Sequence, residues 1–495
     1  MKYYRFLILT IFACSMSTVL AQSELERFRK EQNARHENFR KQRQTEYEAF
    51  RARINNEYAA FVERIWNDYK AFKGIPMPDD TPVPPVTIPK EDKDKPIEDN
   101  PVVIEEVVTP VIPQPQPEPI KPIIPNPVPT EKFATIYHGT KMEVRLDKEK
   151  RFILSSTREE DVANIWRTMS DGRFDATIVD CLELRKKHNL NDWAYFMMLK
   201  GLCNDFYQSQ CNESMLMMSY IYCQSGYKMR LAKSSNRIIM LYASKHQIFN
   251  HPYFSIEGDS DYFYALDKTI DDIQICQATF PHEQSLSLTT KSNPVFDKYP
   301  TITKERQAEG TGLRCETISE KNLIDYYATY PSSMINNNPM TRWAIYANTP
   351  LSEVAHNCLY PQMKAAISQM TKTQKVALLL DWVQTAFVYE YDDKVWGEDR
   401  AFFADESLYY PYCDCEDRSI LFTRMVRDLV GLPCILVYYP GHLAAAVCFD
   451  EQIKGDYIML DNKRFVICDP TYIGAPVGVT MPNMDNQSAK VILLD

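Results

Sequence analysis

The chain has 495 residues, a formal net charge of −10, 31 prolines and 13 cysteines, which is too long for one ordinary domain. Acidity of this size, without a concentrated basic stretch, excludes nucleic acid as a partner, because phosphate binding needs a basic surface. Seventeen of the prolines fall between Pro76 and Pro129, which separates an N-terminal segment from a normally composed remainder, starting near Lys132, that can bury a core.

Lys2 and Arg5 precede an apolar stretch from Phe6 to Leu20, and Val19-Leu20-Ala21 stands before Gln22. This pattern is that of an export signal, 1–21, so the mature chain is expected to begin near Gln22 in the periplasm, at the cell envelope or outside the cell. A competing reading makes Cys14 a lipid-modified residue, but bulky Phe12 fits that poorly. The apolar run is shorter than the ~20 residues that span a bilayer. No later stretch qualifies, so no transmembrane segment is expected after cleavage. Export permits disulfides, with no connectivity readable from the sequence. Cys434, Cys448 and Cys468 lie in apolar strand-like runs, where cysteine behaves as a small hydrophobe.

Between residues 22 and 73, Phe28, Phe39, Phe50, Phe61 and Phe72 recur every eleven residues. Leu25, His36, Tyr47, Tyr58 and Tyr69 precede them by three. Eleven residues close almost a whole number of helical turns, so these side chains form one drifting apolar stripe. The spacing predicts a single helix of about 75 Å. A lone helix cannot keep such a stripe in water, which calls for self-association or an envelope protein as partner; a mobile, partly helical tail is the alternative. Residues 74–131 alternate Pro with Val, Ile and charged residues, as in Pro113-Gln114-Pro115-Gln116-Pro117. That composition predicts an extended, semi-stiff spacer without a core.

The remainder mixes helical and extended patterns and reads as α+β, divided into 132–310 and 311–495. Thr157 with Glu160, and Thr373 ahead of Gln374 to Trp382, are expected helix starts. Strand-like runs cover 228–231, 237–242, 433–439, 442–449 and 464–468.

The most informative stretch is Tyr412-Cys413-Asp414-Cys415-Glu416-Asp417-Arg418, running into an apolar helix that ends at Gly431. Asp414 can cap this helix and place Cys415 in its first turn, where unpaired backbone N–H groups favour a thiolate. Glu416 and Asp417 oppose that, so a nearby imidazole is needed. His442 supplies one at the start of a strand, after a glycine that allows close approach. Asp469, ending the next strand-like run, fits the carboxylate that orients such a base. Two other readings compete: Cys413, Cys415, His442 and Cys448 as metal ligands, though without Cys-x-x-Cys knuckles, and a buried Cys, His and Asp without activity. Trp396, Phe402, Phe403, Tyr409, Tyr410 and Tyr412 either wall a peptide groove or pack the core.

A Cys-Glu-Asp helix start, Gly-His on a following strand and Asp-Pro-Thr on the next resemble the transglutaminase-like superfamily over about the last 150 residues. The resemblance implies a papain-like fold, with the nucleophile helix packed on an antiparallel sheet. It implies Cys415 as nucleophile, His442 as general base and acid, and Asp469 as orienting carboxylate, with no metal or organic cofactor. Cys413 departs from the Gly or Ser often found there. The activity expected is hydrolysis of amide bonds in peptides or proteins through a thioester. The alternatives are acyl transfer to an amine, giving crosslinks, and an inactive envelope scaffold.

A second set of spacings echoes the first. Gly226 to Arg237 and Gly431 to His442 both span eleven residues, and Phe263 to Asp267 repeats Phe465 to Asp469. Cys211 opens an apolar helix upstream. These intervals suggest a degenerate copy of the catalytic core from Asn191 to Thr269, within 132–310, in which Arg237 cannot accept a proton.

Overall fold

The computed structural model describes residues 2–85, 97–110, 116–119, 123 and 131–495, with side chains from residue 27 onward. The fold is α+β. A long helix α1 (Lys2–Val62) is followed by strand β1 (Asn67–Lys70) and then by β2 (Ile104–Val108). The first half contributes helix α2 (Asn212–Gln224) and strands β3 (Met229–Ser234), β4 (Arg237–Ser244), β5 (Tyr262–Tyr264) and β6 (Asp272–Ile275). The second contributes helices α3 (Lys372–Thr385) and α4 (Cys415–Leu429). Its strands are β7 (Cys434–Tyr439), β8 (His442–Cys448), β9 (Tyr457–Leu460), β10 (Lys463–Cys468) and β11 (Ala489–Leu493).

The two principal sheets repeat one another. One has the order β1-β6-β3-β4-β5 and the other β9-β10-β8-β7-β11-β2. The segments β6-β3-β4-β5 and β11-β7-β8-β10 have the same chain order and antiparallel neighbours throughout. Asp469 follows directly on the last pair of its strand, Ala445↔Cys468, whereas Asp267 lies three residues beyond Tyr264, the last residue of β5, where its Oδ2 accepts a hydrogen bond from Arg237 at 2.8 Å.

One apolar cluster runs from Tyr58 to Ile492 and contains Trp166, Tyr222, Tyr346, Phe403 and Leu443. The two halves thus share a core across residue 310. Residues just beyond that point pack on the first half; Tyr326, for instance, donates its hydroxyl to Asn191 Oδ1 at 2.7 Å.

The N-terminal helix stops at Val62, eleven residues before the expected end. Trp66 donates its indole N–H to the Val62 carbonyl at 2.9 Å, and the chain enters β1, which pairs with β6 from Asn67↔Ile275 to Lys70↔Asp272. The open edge of β6 supplies backbone partners that override the helical pattern of the last repeat. Phe72 instead stacks on Tyr253, with ring centroids 5.3 Å apart. Part of the stripe is covered by the chain's own body: Tyr58 is buried between Trp166 and Phe280, at centroid distances of 4.5 and 4.3 Å. Arg51 pairs with Asp175 at 2.9 Å. Farther up the helix, Phe28 and Phe39 are each 59% exposed. The side chains of the expected export signal lie outside the described residues, and no described helix is long and apolar enough to cross a membrane.

The expected spacer is only partly described, since 86–96, 111–115, 120–122 and 124–130 lie outside the described residues. Its described parts lie along the body. β2 adds in parallel to β11, Gln116 accepts a hydrogen bond from Arg185 at 3.2 Å, and the Glu118 backbone passes Gly226 too closely for any side chain there.

Two helix starts shift. The helix expected to start at Thr157 begins at Glu159 after Arg158. In α3 the cap is Thr371, not Thr373, because Gln374 stands three residues beyond Thr371 and returns its side chain to the Thr371 N–H at 3.0 Å.

Candidate active site

Cys415 is the first residue of α4, which packs on β7 and β8. Asp414 precedes it at the cap, where its N–H donates to the Asp417 carboxylate at 3.3 Å. The helix is seated by Ser419, whose hydroxyl donates to the Leu443 carbonyl at 2.8 Å. The same junction brings the Cys415 sulfur to the backbone N–H of Leu443, the residue next to His442. Cys415 is 3% exposed and His442 and Asp469 1% each.

His442 opens β8, and its Nε2 lies 2.8 Å from Asp469 Oδ2. Asp469 is fixed in turn by Oδ1, which accepts the backbone N–H groups of Thr471 and Tyr472 at 2.9 and 3.2 Å. In the neutral ring, an Nε2–H donated to this carboxylate leaves Nδ1 as the nitrogen with the lone pair. Nδ1 is buried and has no hydrogen-bond partner among the described residues, so it is free to take a thiol proton. The structure therefore pairs His442 with Asp469 and sets Cys415 against the neighbouring Leu443, with no Cys415–His442 hydrogen bond among the described residues.

The thiol is held in its neutral form. Burial raises its pKa well above the ordinary cysteine value, and the Glu416 and Asp414 carboxylates reinforce this, against a smaller opposing effect of the Leu443 N–H. The Cys415 S–H donates to Glu416 Oε2 at 3.2 Å. Around it lies a buried acidic group whose importance the sequence did not signal beyond Glu416 and Asp417. Burial, followed by the charge of Glu416, pushes Asp392, Asp399 and Asp414 upward, and Asp417 rises through burial and Asp392. Arg342, 1% exposed in its side chain, pairs with Asp399 at 2.9 Å. Oxygen and sulfur atoms of Asp414, Cys415 and Glu416 lie within 4.8 Å of one another, as do oxygens of Asp392, Asp399 and Glu416. These are the residues that could hold a cation. Cys448 stands at the opposite end of β8 from His442, paired with Phe465, so the alternative set of Cys413, Cys415, His442 and Cys448 does not converge.

Cys413 belongs to a short parallel pair, Val388–Tyr389 with Tyr412–Cys413, outside the helix. Tyr389 is thereby placed beside the nucleophile turn. Its hydroxyl is kept protonated by burial and by the neighbouring Cys415, Asp414 and Glu416, so it is a hydrogen-bond donor. Gln384 ties the site to α3, donating to the carbonyls of Asp469 and Ala475 at 2.9 and 3.1 Å. Neither residue carries a recognisable spacing. Of the aromatic loop, Phe402 and Phe403 are core residues, and Phe403 stacks on Tyr327 at 4.0 Å. Tyr412 remains 40% exposed.

In the other half, Cys211 caps α2, its sulfur accepting the Ser214 N–H at 3.4 Å. Arg237 pairs with Asp267 at 2.8 Å. Cys211, Arg237 and Asp267 line one cavity of about 420 Å³. No family model, curated protein or solved structure matches this chain, and what the site does rests on its own residues.

Proposed function

We propose that this protein is an exported cysteine hydrolase of the transglutaminase-like type, cleaving amide bonds in peptides or proteins with Cys415, His442 and Asp469. The observation that carries the reading is the division of labour on one imidazole: Nε2 is bound to Asp469 at 2.8 Å, and Nδ1 is left without a partner beside the strand position that meets the thiol. The Cys415 sulfur attacks the amide carbonyl as its proton passes to His442 Nδ1. The imidazolium, stabilised by Asp469, then gives that proton to the departing amine and leaves a thioester. Water, deprotonated by the same nitrogen, attacks the thioester and releases the acid and the free thiol. Backbone N–H groups at Cys415 can supply part of an oxyanion hole for this step. The nucleophile helix packed on the antiparallel strands β7 and β8 supports the papain-like reading of this half. In the other half a permanently charged Arg237 occupies the base position, which supports a structural role for that copy.

The test is an acyl-mimicking electrophile applied to the mature protein, with the labelled residue mapped. Cys415 is expected to react, His442→Ala to suppress the reaction, and peptide substrates to yield free acid. Equal labelling of Cys413 and Cys415 in both proteins, or cleavage undiminished in Cys415→Ala, overturns the reading. Dominant incorporation of an added primary amine replaces hydrolysis with acyl transfer.

A further inference from the structure

We infer that residues 80–83 of the chain's own proline-rich segment occupy the substrate groove of this site, as a displaceable internal occupant laid in the manner of an extended peptide substrate. The inference rests on the hydrolase reading for its word substrate, and on geometry for the rest. Val83 bridges the two sides of the catalytic pair. Its N–H donates to the carbonyl of Gly441 at 2.9 Å, next to His442. Its carbonyl accepts the Tyr389 hydroxyl at 3.1 Å, and Tyr389 is paired across from Cys413, two residues before the nucleophile. Backbone bonding of an extended segment to a strand end is the usual way a sheet protein holds a peptide irrespective of its sequence.

Side chains add selectivity. The Val83 side chain packs against Tyr472, Ala475 and Met481, immediately beyond the orienting Asp469. Three residues earlier, Asp80 pairs with Arg342 at 2.9 Å and accepts the Tyr438 hydroxyl at 3.0 Å. Between them the Thr81 carbonyl passes so close to Gly441 that a Cβ there would lie 2.8 Å away; Gly441 also has a φ of +77°, which disfavours any side chain. The glycine before the histidine is thus where the segment crosses. Pro82 and Pro84 on either side of Val83 keep the backbone extended and cheap to order.

The occupant is not part of the core. Thr81 and Pro84 are exposed and Asp80, Pro82 and Val83 only half-buried, so a few hydrogen bonds and one ion pair hold it. It crosses at Gly441, next to a base that is 1% exposed. The groove left by its departure fits an extended peptide with an aliphatic residue at the Val83 position and an acidic residue three positions before it.

The experiment uses the full mature chain. Asp80→Ala removes the ion pair and Val83→Pro removes the N–H donated to Gly441, and neither residue belongs to the core. Alkylation of Cys415 by iodoacetamide, followed by mass spectrometry, reads opening without requiring catalysis. Both variants are expected to unfold cooperatively like the parent and to react at least tenfold faster than it, and a synthetic peptide of residues 78–85 added in trans is expected to slow them again. Hydrolysis of extended peptides is expected to rise in parallel and to fall when the acidic residue is replaced by its amide. Unchanged Cys415 alkylation in both folded variants overturns the inference. Faster alkylation reversed by the peptide, with no cleavage of any peptide, supports the occupant and overturns the hydrolase reading instead.

Discussion

Replacing Asp469 by Asn tests whether the carboxylate sets the tautomer of His442. The native carboxylate faces three donors: His442 Nε2 at 2.8 Å, and the N–H groups of Thr471 and Tyr472 at 2.9 and 3.2 Å. An amide has one oxygen and one NH₂ group, so one side must lose. Turning the oxygen to the imidazole would set the NH₂ against two buried backbone N–H groups, each costing about 1–3 kcal/mol when unsatisfied. Leaving the oxygen on the backbone costs less and presents the NH₂ to Nε2. The imidazole must then accept at Nε2 and move its proton to Nδ1, the nitrogen that otherwise has no partner and would take the thiol proton. Losing a general base lowers rate by about 10²–10⁴, or about 2.7–5.5 kcal/mol of barrier. Electrophile labelling of Cys415 and peptide hydrolysis should both fall by that factor, while thermal unfolding stays cooperative because the shape is kept. Labelling within threefold of the parent, in a protein that melts normally, would refute the tautomer argument.

Three further outcomes are expected. Burial raises Glu406 to about 7 and Asp405 to about 6; the folded state therefore binds more protons than the unfolded one between about pH 4 and 7, and stability should drop as pH rises through that window. Melting temperatures at pH 5 and pH 8 check this, and a slope of the same size in Glu406→Gln would count against burial of Glu406 as a cause. Tyr58→Ala should destabilise the protein by about 3–5 kcal/mol through loss of a buried ring, whereas Tyr58→Phe should be neutral or stabilising, since the buried hydroxyl has no partner; denaturant unfolding separates them, and a harmless Tyr58→Ala would mean that α1 does not dock. Cys211→Ala should leave turnover unchanged, because its cavity contains the Arg237–Asp267 ion pair in place of a base; loss of turnover in a folded variant would show that this half takes part in the chemistry.

Much of the local structure was legible because it is written in short-range patterns. Apolar strand-like runs located β4, β7, β8 and β10 to within two residues and β3 with its end three residues short, and the Cys-Glu-Asp start and the glycine at 431 bracketed α4. Cys415, His442 and Asp469 could be singled out because each residue type sits at the end of a regular element, where side chains of different elements meet. The equal intervals around Arg237 and His442 gave the one hint of the repeated sheet order. What tertiary structure alone decided involves partners distant in the chain. The eleven-residue stripe continues to Phe72, yet the helix ends at Val62 because the unpaired edge of β6 binds residues 67–70; no window around Tyr69 contains that edge. Composition marks 74–131 as unable to form a core of its own, which is a different matter from having nothing to lie on, and β2 and Val83 take their hydrogen bonds from strands and turns more than 300 residues away. Asp392 and Asp399, which join the acids next to Cys415, are likewise invisible in sequence, because which carboxylates meet, and how much water and charge surround them, is set by the fold.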